Sequence, residues 1–268
     1  MTRSDRSDAT ERLAAYRHFW SAVGDTFPDL GGAASTAYYR ANEERLLREH
    51  LGSVNGRRIL KTDLWDEAKN TRILFWAAQQ GAEIHGIDIS GPIASRAKVQ
   101  SPDRSGTFLV ADCRHIPYRS GSFDAVYSMG TIEHFDESPA AVREMWRVLK
   151  PGGRAIIGVP NRLDPFLRPL LVRALSAVRL YAYGFEKSYT RGSLRALVTD
   201  SGFDVVAETA ILFMPGWLRM LDLACHVWVS ALTPLTAALV RTCAFFDARF
   251  PSVRRHGYLI VAVGEKRG

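Results

Sequence analysis

Short apolar runs alternate with amphipathic stretches along most of the chain. Residues 58–63 (RILKTD), residues 84–89 (IHGIDI), Thr107–Val110 and Phe123–Met129 (FDAVYSM) have the length and apolar content of buried strands. Between them, residues 68–80 and the stretch through residues 93–99 carry the spacing of helices. Residues 139–149 predict a third helix, stopped by Pro151-Gly152-Gly153, and residues 155–159 a further strand. A helix at residues 191–201, a strand near residues 204–209 and a last strand at residues 258–263 complete the series. Strand–helix alternation at this spacing predicts an α/β fold, a parallel sheet with helices on both faces.

Two regions leave this rhythm. Residues 8–51 read as helices broken at Pro28-Asp29 and Gly31-Gly32. Residues 211–246 are mostly apolar, and from Leu223 to Val240 no residue carries a formal charge, with His226 neutral. That run touches the lower limit of a membrane-spanning helix, roughly 17–25 residues. Pro234 divides it, however, and Ser230, Thr233 and Thr236 dilute it. Two helices joined at Thr233-Pro234 therefore fit better than one span.

At 268 residues the chain suits one large α/β domain or two small ones. The expected layout is a single domain, with an N-terminal helical cap over 1–56, a core over 57–160 and acceptor-side elements over 161–268. An apolar insertion at 211–250 falls within the last part. Cys113, Cys225 and Cys243 lie far apart, without metal-ligand spacing, which argues against a disulfide scaffold and a zinc module. No metal is expected. The first residues lack the apolar stretch of a signal peptide, which predicts a cytoplasmic protein. Net charge is +7, and all of the excess falls in residues 151–268; residues 1–150 balance at 20 basic and 20 acidic side chains. Such asymmetry fits an anionic partner, a membrane surface or nucleic acid, and equally a solvated basic face.

The chemistry concentrates between Arg57 and Pro160. Asp88 ends the second strand, where an acid in a doubly wound sheet can accept from both ribose hydroxyls of a nucleotide. Asp112, in VADCRHIP, lies at the end of the third strand, within reach of an adenine amino group. SFD at residues 122–124, MGTIEHF after the fourth strand and LKPGG before the fifth follow in order. Each alone is weak, since a strand-end Asp is often a helix cap. Their order and spacing together resemble the class I S-adenosylmethionine (SAM) dependent methyltransferases, in particular the small-molecule branch that includes quinone-biosynthesis enzymes.

The resemblance implies a Rossmann-like, seven-stranded, mostly parallel sheet whose last strand inserts antiparallel. It also implies SAM lying across the carboxyl ends of the first four strands. By position, Asp88 would hold the ribose, Asp112 and the backbone at Cys113 the adenine, and Ile89 its face. Ser128 and Met129 would border the methionine part. One departure is large. The family's glycine-rich loop after the first strand is replaced by ILKTDLWDEAKNT, with no glycine between Gly56 and Gly81. Asp63 and Glu67 are the acids expected to answer SAM's positive charge in place of the missing backbone contacts; Asp66 and Glu67 also suit the first turn of a helix. The opposite reading is a degenerate pocket on a non-methylating relative.

Methyl transfer is an in-line displacement, so aligning the acceptor is the main task. A hydroxyl or amine acceptor must also lose a proton. His134 in TIEHF, on the acceptor rim, is the candidate base, with a loop-orienting role as its alternative. Tyr38 and Tyr39 either cover the cofactor or pack on the sheet. Residues 162–183 and 211–246 lie where the family adapts to its acceptor. Both mix apolar residues with arginines, among them Arg168, Arg173, Arg179, Arg219 and Arg241. That mixture fits a lid, a homodimer interface or an interfacial membrane contact on the inner face. The expected acceptor is a hydrophobic small molecule or lipid. Nucleic acid is disfavoured, since no RNA-binding module or Asn/Asp-Pro-Pro-aromatic signature is present.

Overall fold

A computed structural model describes residues 3–102 and 106–268, with side chains from Leu13 onward. Among the described residues, seven strands form one sheet: β1 (Arg58–Lys61), β2 (Glu83–Asp88), β3 (Thr107–Val110), β4 (Phe123–Met129), β5 (Leu149–Pro160), β6 (Asp204–Ile211) and β7 (Leu259–Glu265). Their order is β3-β2-β1-β4-β5-β7-β6, parallel except for β7, which runs antiparallel to both neighbours. Ile59 pairs in register with Ile84 on one side and Ala125 on the other. The strand order reverses at β1, so the carboxyl ends of β1, β2 and β4 meet at a crevice, the usual ligand position in such sheets.

The period of two explains how this sheet carries a core on both faces. Ile59, Tyr127, Met129, Ile156, Val261 and Val263 point to one cluster, while Leu60, Val126, Ile157, Ile260 and Ala262 point to the other. The first face is covered by α2 (Ala34–Leu51), α4 (Ile73–Gln79) and α5 (Gly91–Gln100). The second is covered by α6 (Ser138–Val148) and α8 (Arg191–Asp200). In α6 the buried Ala141, Val142, Met145 and Val148 form one helical stripe. The cap is α1 (Arg3–Thr26) followed by α2.

The helix expected over 68–80 is in fact two. A short α3 (Trp65–Lys69) ends where the Asn70 amide donates to Asp66 Oδ1 at 2.8 Å and Arg72 takes a left-handed φ of 58°; α4 starts anew after it. The strand read at 155–159 is longer, because Gly152 and Gly153 continue its edge alongside Lys266. The apolar stretch forms α9 (Gly216–Trp228) and α10 (Thr233–Arg249), with Pro234 in the first turn of α10, where its missing N–H costs nothing. α7 (Arg168–Ala177) packs beside α9. Among the described residues no helix is long and apolar enough to cross a membrane.

Candidate active site

The carboxyl ends of β1 to β4 open into a cavity of about 610 Å³. Thr62 and Asp63, Asp88 to Ser90, Ala111 to Cys113, and Met129 to Thr131 line it in strand order. Gly130 leaves β4 with a φ of 72°, a turn that suits glycine and carries Thr131 and Glu133 over the rim. Tyr16, Trp20 and Phe27 of α1 and its following turn close one side, and residues of α7 and α9 form the far wall.

The glycine-free loop is built around a buried cation. Lys61, at the end of β1, has its side chain fully out of water. Its Nζ lies 2.8 Å from Asp63 Oδ1, 3.0 Å from Asp66 Oδ2 and 3.3 Å from Glu67 Oε2. Burial alone would lower the ammonium, but these carboxylates raise it well above the ordinary lysine value. The buried Glu43 of α2, accepting from the Tyr127 hydroxyl at 2.9 Å, joins the group from behind. One lysine thus faces four acids. Burial raises Asp63 and Glu43 above the usual carboxylate range and pushes Glu67 up to about 7. Burial and mutual repulsion thus favour the protonated form of these acids.

These contacts set which acids face the cavity. Asp63 lines the cavity, with Thr131 Oγ1 donating to its Oδ2 at 2.9 Å. Glu67 does not reach the cavity: it is fully buried, and its Oε1 accepts from the Leu74 N–H at 2.9 Å at the start of α4. Ser128 is likewise turned away, because alternation along β4 puts Met129 on the cavity side and the Ser128 side chain in the opposite core.

The other strand-end acids are in place, with different freedom. Asp88 Oδ2 accepts from Leu64 N–H at 2.8 Å and Oδ1 from Ser90 N–H at 2.7 Å, so the carboxylate is fixed at the cavity wall. Burial pushes it up to about 7, against the pull of those N–H groups. Asp112 is clasped by Arg114, whose Nε lies 3.0 Å from Oδ1 and Nη2 2.7 Å from Oδ2. Although burial opposes it, Arg114 holds Asp112 below the usual carboxylate range. Arg114 in turn lies over the rings of Tyr16 and Phe135, which ties this corner to α1. Ile89 and Cys113 line the cavity beside these acids.

His134 also lines the cavity, packed edge-on against Trp20 with ring centroids 4.9 Å apart. Its Nδ1 is 2.8 Å from the Phe185 carbonyl oxygen; a carbonyl only accepts, so Nδ1 carries the proton and Nε2 keeps a lone pair. Burial lowers the His134 pKa, which favours this neutral form. Burial, with Glu186 nearby, raises Glu133 well above the carboxylate range. Tyr38 and Tyr39 both pack in the core, as one of the two readings expected, and Tyr39 also lines the cavity under Arg219.

The sequence reading missed Lys61, although a lone lysine at the end of an apolar strand, followed by three acids, was its visible signal. It also placed Arg168 and Arg219 with the surface arginines. Arg168 is buried, pairing with Glu186 through both terminal nitrogens and lying over the Tyr258 ring. A Cβ on Gly216 would come within 3.1 Å of the Arg168 side chain, so glycine lets α9 start against it. Arg173, Arg179 and Arg241 are exposed, as expected.

Comparison with known proteins narrows what this geometry means. A family profile described as a methyltransferase domain matches residues 69–157. The O-methyltransferase rstn1 of Aspergillus nomiae is 30% identical over 220 residues, covering 76% of this chain and 93% of that relative. The chain belongs to the SAM-dependent methyltransferase family. The chloroplastic tocopherol O-methyltransferase of Arabidopsis thaliana is 40% identical over 145 residues, 48% of this chain and 40% of that one. Against four curated relatives of this family, the tocopherol enzyme among them, the chain spans 26–66% of their length. The crystal structure of the magnesium protoporphyrin IX methyltransferase of Synechocystis, with bound S-adenosylhomocysteine (SAH), superimposes with a TM-score of 0.55. It is 13% identical, over 86% of this chain and 84% of that one, a likeness of fold. The small-molecule branch expected from the sequence agrees with these relatives, and β7 runs antiparallel as the sequence predicted.

Proposed function

We propose that the chain transfers a methyl group from SAM to a hydrophobic, lipid-like acceptor that enters from an apolar surface. The observation that carries this reading is the shape of the cavity. It starts among the strand-end acids and runs out between α7 and α9 to Leu180, Met220 and Trp228, which line it and are 72%, 44% and 75% exposed. Such a mouth suits an acceptor arriving from an apolar phase.

The residues at the strand ends fit SAM. Asp88 keeps free lone pairs for ribose hydroxyls, and Ile89 and Cys113 offer apolar walls for a base. Asp63 places negative charge where a sulfonium or ammonium would be stabilised. Bound there, SAM supplies an electrophilic methyl group on sulfur. The chain's own work is alignment: Met129 and Thr131 limit the approach from β4, and α7 and α9 orient the acceptor. His134 Nε2 accepts the acceptor's proton, and its neutral tautomer is held by the Phe185 carbonyl. Relatives named for tocopherol and for demethylmenaquinone support a hydrophobic acceptor. Exposed arginines at 162, 173, 179, 241 and 249 beside exposed apolar side chains support a peripheral contact with an anionic membrane face.

A non-methylating ligand-binding protein on the same fold is the second reading, favoured by the hold of Arg114 on Asp112. Calorimetry with SAM and SAH separates the two, and no binding at millimolar ligand would sink the first. If binding occurs, Asp88→Ala weakens it at least about ten-fold, the cost of a lost charged hydrogen bond. The acceptor is then sought by incubating a whole-cell lipid and metabolite extract with enzyme and deuterated-methyl SAM and reading mass shifts. Label confined to polar metabolites would overturn the lipid-like acceptor.

A further inference from the structure

The α9 face that lines the cavity is a regular stripe: Gly216, Arg219, Met220, Leu223, Ala224 and Val227. One residue in it is charged. The Arg219 guanidinium has no hydrogen-bond or ion-pair partner among the described residues, and its Nη1 is buried with nothing to donate to. It lies over the Tyr39 ring, with Cζ 4.9 Å from the ring centroid. The other arginine on the cavity wall, Arg168, is fully engaged by Glu186. Arg219 is half-buried, and a buried donor such as its Nη1 left without a partner is costly. Asp66 and Glu67 face Lys61 instead, and Asp63 divides between Lys61 and Thr131.

We propose that Arg219 is the receptor for a carboxylate inside the cavity. The planar guanidinium matches a carboxylate through two parallel hydrogen bonds, and Tyr39 beneath fixes its plane. Two sources can present that group. One is an acidic amphiphile lying along the α9 stripe, its head at Arg219 and its tail running past Leu223 and Val227 to the exposed Trp228. The other is the amino-acid carboxylate of SAM, reaching across from the β1 loop. The inference uses the proposed function only to name these sources; the unpaired cation is independent of it.

The test is binding by calorimetry to the full chain, as wild type, Arg219→Gln and Arg219→Lys, with two ligand pairs. The first pair is SAH and its decarboxylated analogue; the second is dodecanoate and dodecanol. If SAM is the source, Arg219→Gln weakens SAH at least about ten-fold and leaves the decarboxylated analogue unchanged. If an amphiphile is the source, the same selective loss falls on dodecanoate and spares dodecanol. Arg219→Lys recovers part of the affinity in either case. Arg219→Gln should melt no lower than wild type without ligand, since an unpaired charge is removed; this separates a binding loss from misfolding. Equal effects within both pairs, or none, overturn the proposal. Failure of the wild type to bind SAH would overturn methyl transfer instead, and the dodecanoate arm would still decide the role of Arg219.

Discussion

Asp63 and Glu67 are adjacent members of one acidic group, yet their surroundings assign them different work. Asp63 faces the cavity, while Glu67 closes the start of α4 and faces Lys61. Asp63→Asn should therefore weaken SAM more than SAH, because only SAM carries the sulfonium. Glu67→Gln should change both affinities alike, if at all. Titration calorimetry of the two variants against both ligands checks this, and a larger SAM preference lost in Glu67→Gln would reverse the assignment. His134 makes a separate prediction. As base it should follow a rate that rises with pH to a plateau reached below the ordinary histidine value, since burial lowers its pKa. His134→Gln should cut kcat about 10²-fold with SAH affinity unchanged. An unchanged rate would leave His134 as a loop-orienting residue. At this scale the sequence was half legible. Asp88 ends β2, and Asp112 and His134 lie on the short turns that follow β3 and β4, where position in the motif predicts a place on the cavity. Glu67, Ser128 and Arg219 point according to helix phase, strand alternation and packing, which the motif pattern did not resolve.

At the level of elements, α9 and α10 each carry an apolar stripe that the fold leaves uncovered. On α10, Leu235, Leu239 and Phe246 are 62%, 43% and 44% exposed at helical spacing, and on α9 Trp217 and Leu221 are 51% and 44% exposed. Cores on both sheet faces are complete without them, so these side chains do not serve internal packing. Co-sedimentation with anionic vesicles at low salt should therefore retain the wild type and lose Leu235→Glu, with SAH affinity intact. Both proteins in the supernatant would point to a dimer interface or a lid. Strands and most helices were readable from periodicity. The break at Asn70 to Arg72 was not, because it depends on long-range contacts such as the Thr36 hydroxyl donating to Asn70 Oδ1 at 2.8 Å.

For the molecule as a whole, buried acids tie stability to pH in two opposed ways. Asp88 and Glu67 sit at about 7 in the folded chain, while an unfolded carboxylate loses its proton near pH 4. Between those values the folded state binds more protons, so their contribution declines as pH rises, by at most about 1.4 kcal/mol per pH unit for each group. Asp112, Asp124, Glu144 and Glu186 are held low, so their contribution is present above pH ~4 and lost as pH falls below it. The ligand-free protein should melt highest on the acid side of neutrality and lower at pH 8, and Glu67→Gln should flatten that slope; a melting temperature rising steadily to pH 8 would contradict it. Charge balance alone hides this, since counting charges does not say which are buried together. A lysine shared among four carboxylates has one more consequence. Any cation that settles against Asp63 weakens the hold of the raised acids on protons, so SAM binding should release protons into the buffer, and SAH binding fewer. The heat of SAM binding at pH 6.5 should then scale with the ionisation enthalpy of the buffer, making the missing glycine loop visible as a proton count.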